Sequence, residues 1–200
     1  MGNVRSVFNA FQLLGEQVEI TDDPKKLLEA EAIILPGVGA FSDGMNNLRQ
    51  KGLVDVLKKE VLDNKKPYLG ICLGLEFLAQ KSFEGRITEG FGWIKGEVIK
   101  IKPNNPLLKV PHMGWDDTKV LKNDGLLKDL DDPTFYYLHS FYLKVDDSEK
   151  NVITSICDYG GVPIAATIQK NNIYAVQFHA EKSQSTGIKL LQNFLNDIRK

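Results

Sequence analysis

The sequence predicts one α/β domain: a central, mostly parallel sheet with flanking helices, and an added antiparallel layer. Three observations predict it. Short apolar runs alternate with helical segments through the first half, which is the order of a parallel sheet covered on both faces. Residues 30–36 (AEAIILP, with Glu31 near its start) and 67–72 (PYLGIC) are predominantly apolar runs, as strands buried on both faces are. The second half instead carries short β-rich runs divided by turn signals, the habit of antiparallel strands.

Each element has its own justification. Val4, Val7, Phe8, Phe11 and Leu14 recur at three- and four-residue spacing and form one apolar helix face, with Gly15 as its stop. A short strand is expected over residues 17–21, then a short helix entered at Asp23 and Pro24. The strand at 30–36 is broken by Gly37, Val38 and Gly39, and helices fill residues 41–64. The strand at 67–72 leads at once into a helix over 73–80. Beyond it, residues 97–102, 135–139, 152–157, 163–169 and 173–178 read as strands. A helix over 186–198 closes the chain, its stripe formed by Ile188, Leu191, Phe194, Leu195 and Ile198. With 200 residues, no repeat and no linker, residues 1–200 make a single domain.

Composition excludes several function classes. Twenty-five basic residues against 26 acidic ones leave a net charge of −1, so no nucleic-acid partner and no anionic-lipid surface is expected. No run of about 20 apolar residues is present to span a bilayer. The first residues, MGNVRSVFNAFQLLGE, have neither the apolar centre nor the cleavage site of a signal peptide. Cys72 and Cys157 are therefore expected as free thiols in a reducing cytoplasm.

The sharpest chemical signal is Gly70, Ile71, Cys72, Leu73 and Gly74. A nucleophile on a tight strand-to-helix turn needs small residues two positions before and after it, and a thiol at a helix start is biased toward thiolate. A small buried cysteine in a glycine-rich turn reads the same way in isolation. Of the three histidines, His179 ends an apolar run and is followed at i+2 by Glu181, which an extended segment places on the same side as the ring. His139 has no carboxylate nearby in sequence, and His112 has none before Asp116. The loop Pro36, Gly37, Val38, Gly39 can turn backbone N–H groups toward an anion. No cluster shows metal-ligand spacing, so no metal site is expected.

These segments together resemble the class I (triad) glutamine amidotransferases, and within them the glutaminase subunits of imidazole glycerol phosphate synthase. The resemblance rests on GNVRSV at 2–7, LPGVGAF at 35–41, GICLGLEFLA at 70–79, PHMGWD at 111–116, YYLHSF at 136–141 and QFHAEKS at 177–183. It covers nearly the whole chain and implies a flavodoxin-like fold. It implies a Cys72, His179, Glu181 triad that hydrolyses glutamine through a γ-glutamyl thioester. The amides of Leu73 and Val38 would stabilise the oxyanion, and Gly37, Gly39, Glu76, Ser140 and Phe141 would bind the substrate. No cofactor is implied. The implied partner is a (β/α)8-barrel synthase subunit, joined as a heterodimer, which receives the ammonia through a channel. That partner would make imidazole glycerol phosphate and an aminoimidazole carboxamide ribonucleotide for histidine biosynthesis. A paralogous subunit supplying ammonia to amidate a lipopolysaccharide or flagellar sugar is the alternative with the same chemistry. A catalytically silent scaffold is the alternative without it.

The chain departs from the family pattern in three places. Members open with a short strand and turn ahead of GNVRSV, so that first strand is missing here and the expected start lies roughly ten residues upstream, one strand plus a turn. Glu76 stands where the elbow normally carries Gln; a carboxylate accepts hydrogen bonds but donates only when protonated. Ala180 replaces the usual Pro between His179 and Glu181, a change that removes no reacting group.

Overall fold

The computed structural model describes residues 3–199, so Met1 and Gly2, the opening of the GNVRSV segment, lie outside the described residues. Helix α1 (Val4–Leu13) turns Val7, Ala10 and Phe11 inward, and the chain leaves it through Gly15 at φ 84°, the left-handed stop expected there. Helix α2 (Pro24–Glu29) starts as its sequence dictates: Pro24 occupies the first turn and the Asp23 side chain accepts from the Lys25 amide at 2.9 Å. Then follow β1 (Ile33–Gly37), α3 (Phe41–Gln50) and α4 (Leu53–Lys58), the last running on into a π-helical turn at Lys59–Asp63. Strand β2 (Tyr68–Cys72) leads directly into α5 (Leu73–Glu76).

The remaining strands are β3 (Lys81–Ser82), β4 (Thr88–Glu89), β5 (Gly96–Lys100), β6 (His112–Asp117), β7 (Lys119–Val120), β8 (Thr134–His139), β9 (Phe141–Val145), β10 (Ile153–Asp158), β11 (Pro163–Lys170) and β12 (Ile173–Val176). Helix α6 (Gln184–Ile198) ends the fold. The central sheet has the order β1-β2-β12-β11-β10-β7. Its first three strands are parallel and the rest antiparallel. The remaining strands thus divide: β11, β10 and β7 extend the central sheet, while β4-β3-β5-β9, in which β3 and β5 run parallel, and the antiparallel β6-β8 form two smaller sheets.

Strand β2 sits between two cores and all five of its residues are buried. Tyr68 joins Met45, Leu48 and Leu57 of α3 and α4 on one face. Leu69 and Ile71 join Phe11 of α1 and Leu191 and Phe194 of α6 on the other. This alternation fixes the register, since a slip of one residue would exchange the two faces. It also carries the end of β2, where Cys72 lies, into the middle of the molecule. No described helix is long and apolar enough to cross a membrane.

Three expectations about elements are corrected. Residues 17–21 form no strand: among the described residues no neighbour pairs with them, and an extended segment without a ladder is not a strand. For the same reason β1 is an edge, paired among the described residues only with β2, and only Ile33 of its five residues is buried instead of the whole strand. The helix after Cys72 is one turn long, not eight residues. Its continuation is diverted because the carbonyls of Phe77, Leu78 and Ala79 accept from the amides of Phe91, Ile94 and Gly92.

Candidate active site

Cys72 ends β2 at φ 55°, ψ −108°, a left-handed conformation costly for a residue with a side chain, by about 1–3 kcal/mol. The glycines around it show why the turn closes. A Cβ on Gly70 would lie 2.5 Å from the carbonyl oxygen of Gly74, and one on Gly74 would lie 1.8 Å from that of Leu35. The buried Tyr68 hydroxyl donates to the Gly74 carbonyl at 2.8 Å and pins the turn from below. Small residues two before and two after the sulfur are therefore a packing requirement, as the spacing suggested.

The expected bias toward thiolate is not what the free site delivers. Burial pushes the Cys72 thiol up, the charge of Glu76 adds to the effect, and a hydrogen bond from the Leu73 amide opposes it. A one-turn helix has little macrodipole to set against burial. Cys72 needs a base to take its proton.

His179 is buried, with its Nδ1 2.9 Å from Glu181 Oε1. A carboxylate only accepts, so Nδ1 carries the hydrogen and Nε2 the lone pair. That Nε2 is buried and has no hydrogen-bond partner among the described residues. Glu181 lies in a 3-10 turn (Ala180–Lys182), so the turn, and not an extended i, i+2 register, brings the pair together. The His179 backbone is clamped to β8: its amide donates to the Tyr136 carbonyl at 2.8 Å, and its carbonyl accepts from the Ser183 hydroxyl at 2.7 Å. Asn3, not anticipated as a site residue, completes the pair. Its side-chain amide lies 2.9 Å from His179 Nδ1 and hydrogen-bonds Glu181 Oε1. Since Nδ1 is already a donor, the carboxylate is the acceptor that the Asn3 amide serves.

Cys72 and His179 open onto one cavity of ≈ 300 Å³, whose walls include Val38, Gly39, Leu73, Glu76, Ser140 and Phe141. The size suits a small polar molecule. Gly37 is the exception among the residues expected to bind substrate. It does not line the cavity but packs behind it, where a Cβ would stand 2.9 Å from that of Leu73. Glu84, Pro111, Leu138 and His139 also form the wall. Glu84, which nothing local in the sequence marks, also caps α3: its carboxylate accepts from the Phe41 amide at 2.7 Å, 43 positions away.

Glu76 is buried in the wall, and its Oε1 accepts from the Gln177 side-chain amide at 3.1 Å. Burial pushes its carboxyl up to about 8 and the charge of Glu84 acts in the same sense, against the Gln177 hydrogen bond. At neutral pH Glu76 is mostly the neutral acid, able to donate a hydrogen bond as Gln does. His139 is held neutral, its pKa drawn down to about 3 by burial, and its Nδ1–H donates to the Phe141 carbonyl at 2.8 Å.

Comparison with known proteins gives consistent matches. The family model for class-I glutamine amidotransferases matches residues 2–198. Imidazole glycerol phosphate synthase subunit HisH 1 of Campylobacter jejuni (strain 81-176) is 43% identical over 194 residues, covering 96% of this chain and 94% of its own. Subunit HisH of Methanothermobacter thermautotrophicus is 42% identical over 198 residues, covering 99% and 95%. Among solved structures, a glutamine amidotransferase superposes with a TM-score of 0.75 at 18% identity, over 100% of this chain and 95% of that one. The glutaminase domain of Trypanosoma brucei CTPS does so with a TM-score of 0.65 at 16% identity, over 98% and 89%. At these identities the two structures speak for the fold.

Proposed function

The chain belongs to the class-I glutamine amidotransferases, and from that premise we propose that it is the glutaminase subunit of an imidazole glycerol phosphate synthase, hydrolysing glutamine to glutamate and ammonia in histidine biosynthesis. The observation that carries the reaction is the buried His179, with Nδ1 committed to Glu181 and Nε2 unpartnered in a cavity shared with the strained Cys72. The near-full-length likeness to HisH subunits carries the biosynthetic assignment.

The chemistry follows from the groups present. Glutamine enters with its side-chain amide at Cys72 and its amino-acid end along Ser140, Phe141 and Glu76. His179 Nε2 takes the thiol proton as Sγ attacks the amide carbon, and Glu181 stabilises the imidazolium. The amides of Leu73 and Val38 receive the negative charge on the oxygen. The tetrahedral species collapses with the C–N bond breaking, the nitrogen leaving as ammonia with the proton from His179. A γ-glutamyl thioester remains on Cys72. Water, deprotonated by the same Nε2, then adds to the thioester and releases glutamate and the thiol. Ammonia is consumed by a partner synthase subunit, here taken to be a (β/α)8 barrel reached through a closed channel, because solvent would protonate it and carry it away.

The test is glutamate release from glutamine with and without the synthase subunit of the same organism. The expected result is strong stimulation by the partner, absent from Cys72→Ala. Absence of glutamate release from the folded complex would overturn the assignment.

A further inference from the structure

A second polar cluster lies behind the wall of the glutamine cavity, assembled from three strands. His112 of β6 pairs in register with His139 of β8, and its ring is stacked between Tyr137, centroids 4.7 Å apart, and Tyr159, 4.0 Å apart. The ring cannot turn without breaking both contacts. Hydrogen positions along this row follow from one fixed acceptor. The Phe141 carbonyl takes the hydrogen on His139 Nδ1, which leaves His139 Nε2 as the acceptor. His112 Nδ1 lies 3.1 Å from that Nε2 and must be the donor. The lone pair of His112 is thereby fixed at Nε2, which faces Asp116 Oδ2 at 3.2 Å. Two acceptors face one another, an arrangement that a cation between them resolves.

Cys157 of β10 brings a sulfur to the same point. The ligand atoms of His112, Asp116 and Cys157 all lie within 4.8 Å of one another. We propose that His112 Nε2, an Asp116 carboxylate oxygen and Cys157 Sγ form a binding site for a divalent ion of the zinc class, distinct from the glutaminase triad. One imidazole, one thiolate and one carboxylate are the donor set of a borderline-soft ion, and three protein ligands leave a fourth position to water. Ligands around tetrahedral zinc stand roughly 3.3–3.8 Å apart for bonds of about 2.0–2.3 Å, so closure asks for movements on the order of an ångström.

The surroundings fit the same reading. His139 on His112 Nδ1 is the outer hydrogen bond that fixes the tautomer of a metal-binding histidine. The Tyr137 hydroxyl, bonded to Thr118 at 2.6 Å, also interacts with the Cys157 sulfur. An ion has a way in, because the Asp116 side chain is 37% exposed and borders a cavity of ≈ 430 Å³. Asp117, Asp132 and Asp158 outnumber Lys119 around that cavity, which favours a cation. Binding forms the metal–sulfur bond and releases the thiol proton to solvent. Because His139 is a wall of the glutamine cavity, a bound ion would stiffen that wall through His112.

The experiment uses the full-length chain stripped by chelator and titrated with Co²⁺ and then Zn²⁺, followed by absorption and thermal unfolding. One ion per chain is expected, with a thiolate-to-cobalt charge-transfer band that persists in Cys72→Ser and disappears in Cys157→Ser. Zn²⁺ at a hundredfold excess over its dissociation constant should raise Tm by about 5–10 °C. Asp116→Asn, which keeps the side-chain shape, should weaken binding by about 10- to 100-fold while the metal-free variant still unfolds cooperatively. A wild-type chain with no band and no Tm shift overturns the site. So does a band that follows Cys72.

Discussion

The two cysteines have much in common and do different things. Both are buried, both are free, and burial pushes both thiols up. Each also has a carboxyl group at hand, Glu76 beside Cys72 and Asp116 beside Cys157, whose negative charge, once the group is ionised, raises it further. The difference lies in the backbone and in what the sulfur faces. Cys72 is held at φ 55° on a glycine-framed turn and opens onto a cavity that also holds an unpartnered imidazole nitrogen. Cys157 sits within β10, beside Tyr137, His112 and Asp116. Burial and thiol pKa alone therefore do not distinguish a nucleophile; local backbone strain and access to an acceptor do.

The comparison breaks most completely at the reacting atom. Cys72→Ala should lower kcat for glutamate release by about 10⁴-fold or more, with the circular dichroism spectrum retained. Equal activity in that variant would show that the elbow is scaffolding. Glu76→Gln sharpens the comparison through pH. The Glu76 carboxyl titrates near 4.5 in the unfolded chain and at about 8 in the folded one. Between those values the unfolded chain binds fewer protons, so stability falls as pH rises, by up to about 5 kcal/mol in total. Denaturant melts at pH 5 and pH 8 should show this slope in the wild type and its loss in Glu76→Gln. Above pH 8 the ionised Glu76 also opposes the Cys72 thiolate, so glutamine turnover should fall there more steeply in the wild type than in the variant.

Backbone strain is tested next. Gly74→Ala places a methyl group 1.8 Å from the Leu35 carbonyl oxygen, so β1 and the elbow must separate. A loss of about 3 kcal/mol, read as a Tm lower by about 6–12 °C, is expected. The smallest effect is kinetic selectivity. Iodoacetamide should label Cys72 about tenfold faster than Cys157, as mass spectrometry of the peptides would show. Equal rates would mean that the cavity gives the catalytic sulfur no advantage.

What was legible in the sequence was what is local. The elbow could be read because Gly70, Cys72 and Gly74 act on one another across a single turn, and His179 with Glu181 because they are two residues apart. The apolar stripes of α1 and α6 were equally plain, since each helix buries one face. What was not legible is assembled across the fold. His112 and Asp116 come from β6, His139 from β8 and Cys157 from β10, and no spacing announces their meeting. Asn3 reaches Glu181 from the other end of the chain, although it lay within the motif GNVRSV. The length of α5 was overread because tertiary hydrogen bonds to Phe77, Leu78 and Ala79 outcompete the helical ones, and residues 17–21 carry a strand's composition without a strand's neighbour.

The contact of Asn3 with the catalytic pair has a kinetic meaning. The Asn3 amide and the Glu181 carboxylate are 178 positions apart along the chain, so the loop that their hydrogen bond closes encompasses nearly every residue. Closures of that span form late, after the nearer contacts have already reduced the search. In a refolding experiment, glutaminase activity would accordingly lag behind the recovery of secondary structure. The triad thus doubles as a reporter of the last stage of folding, when the two ends of the chain have found one another.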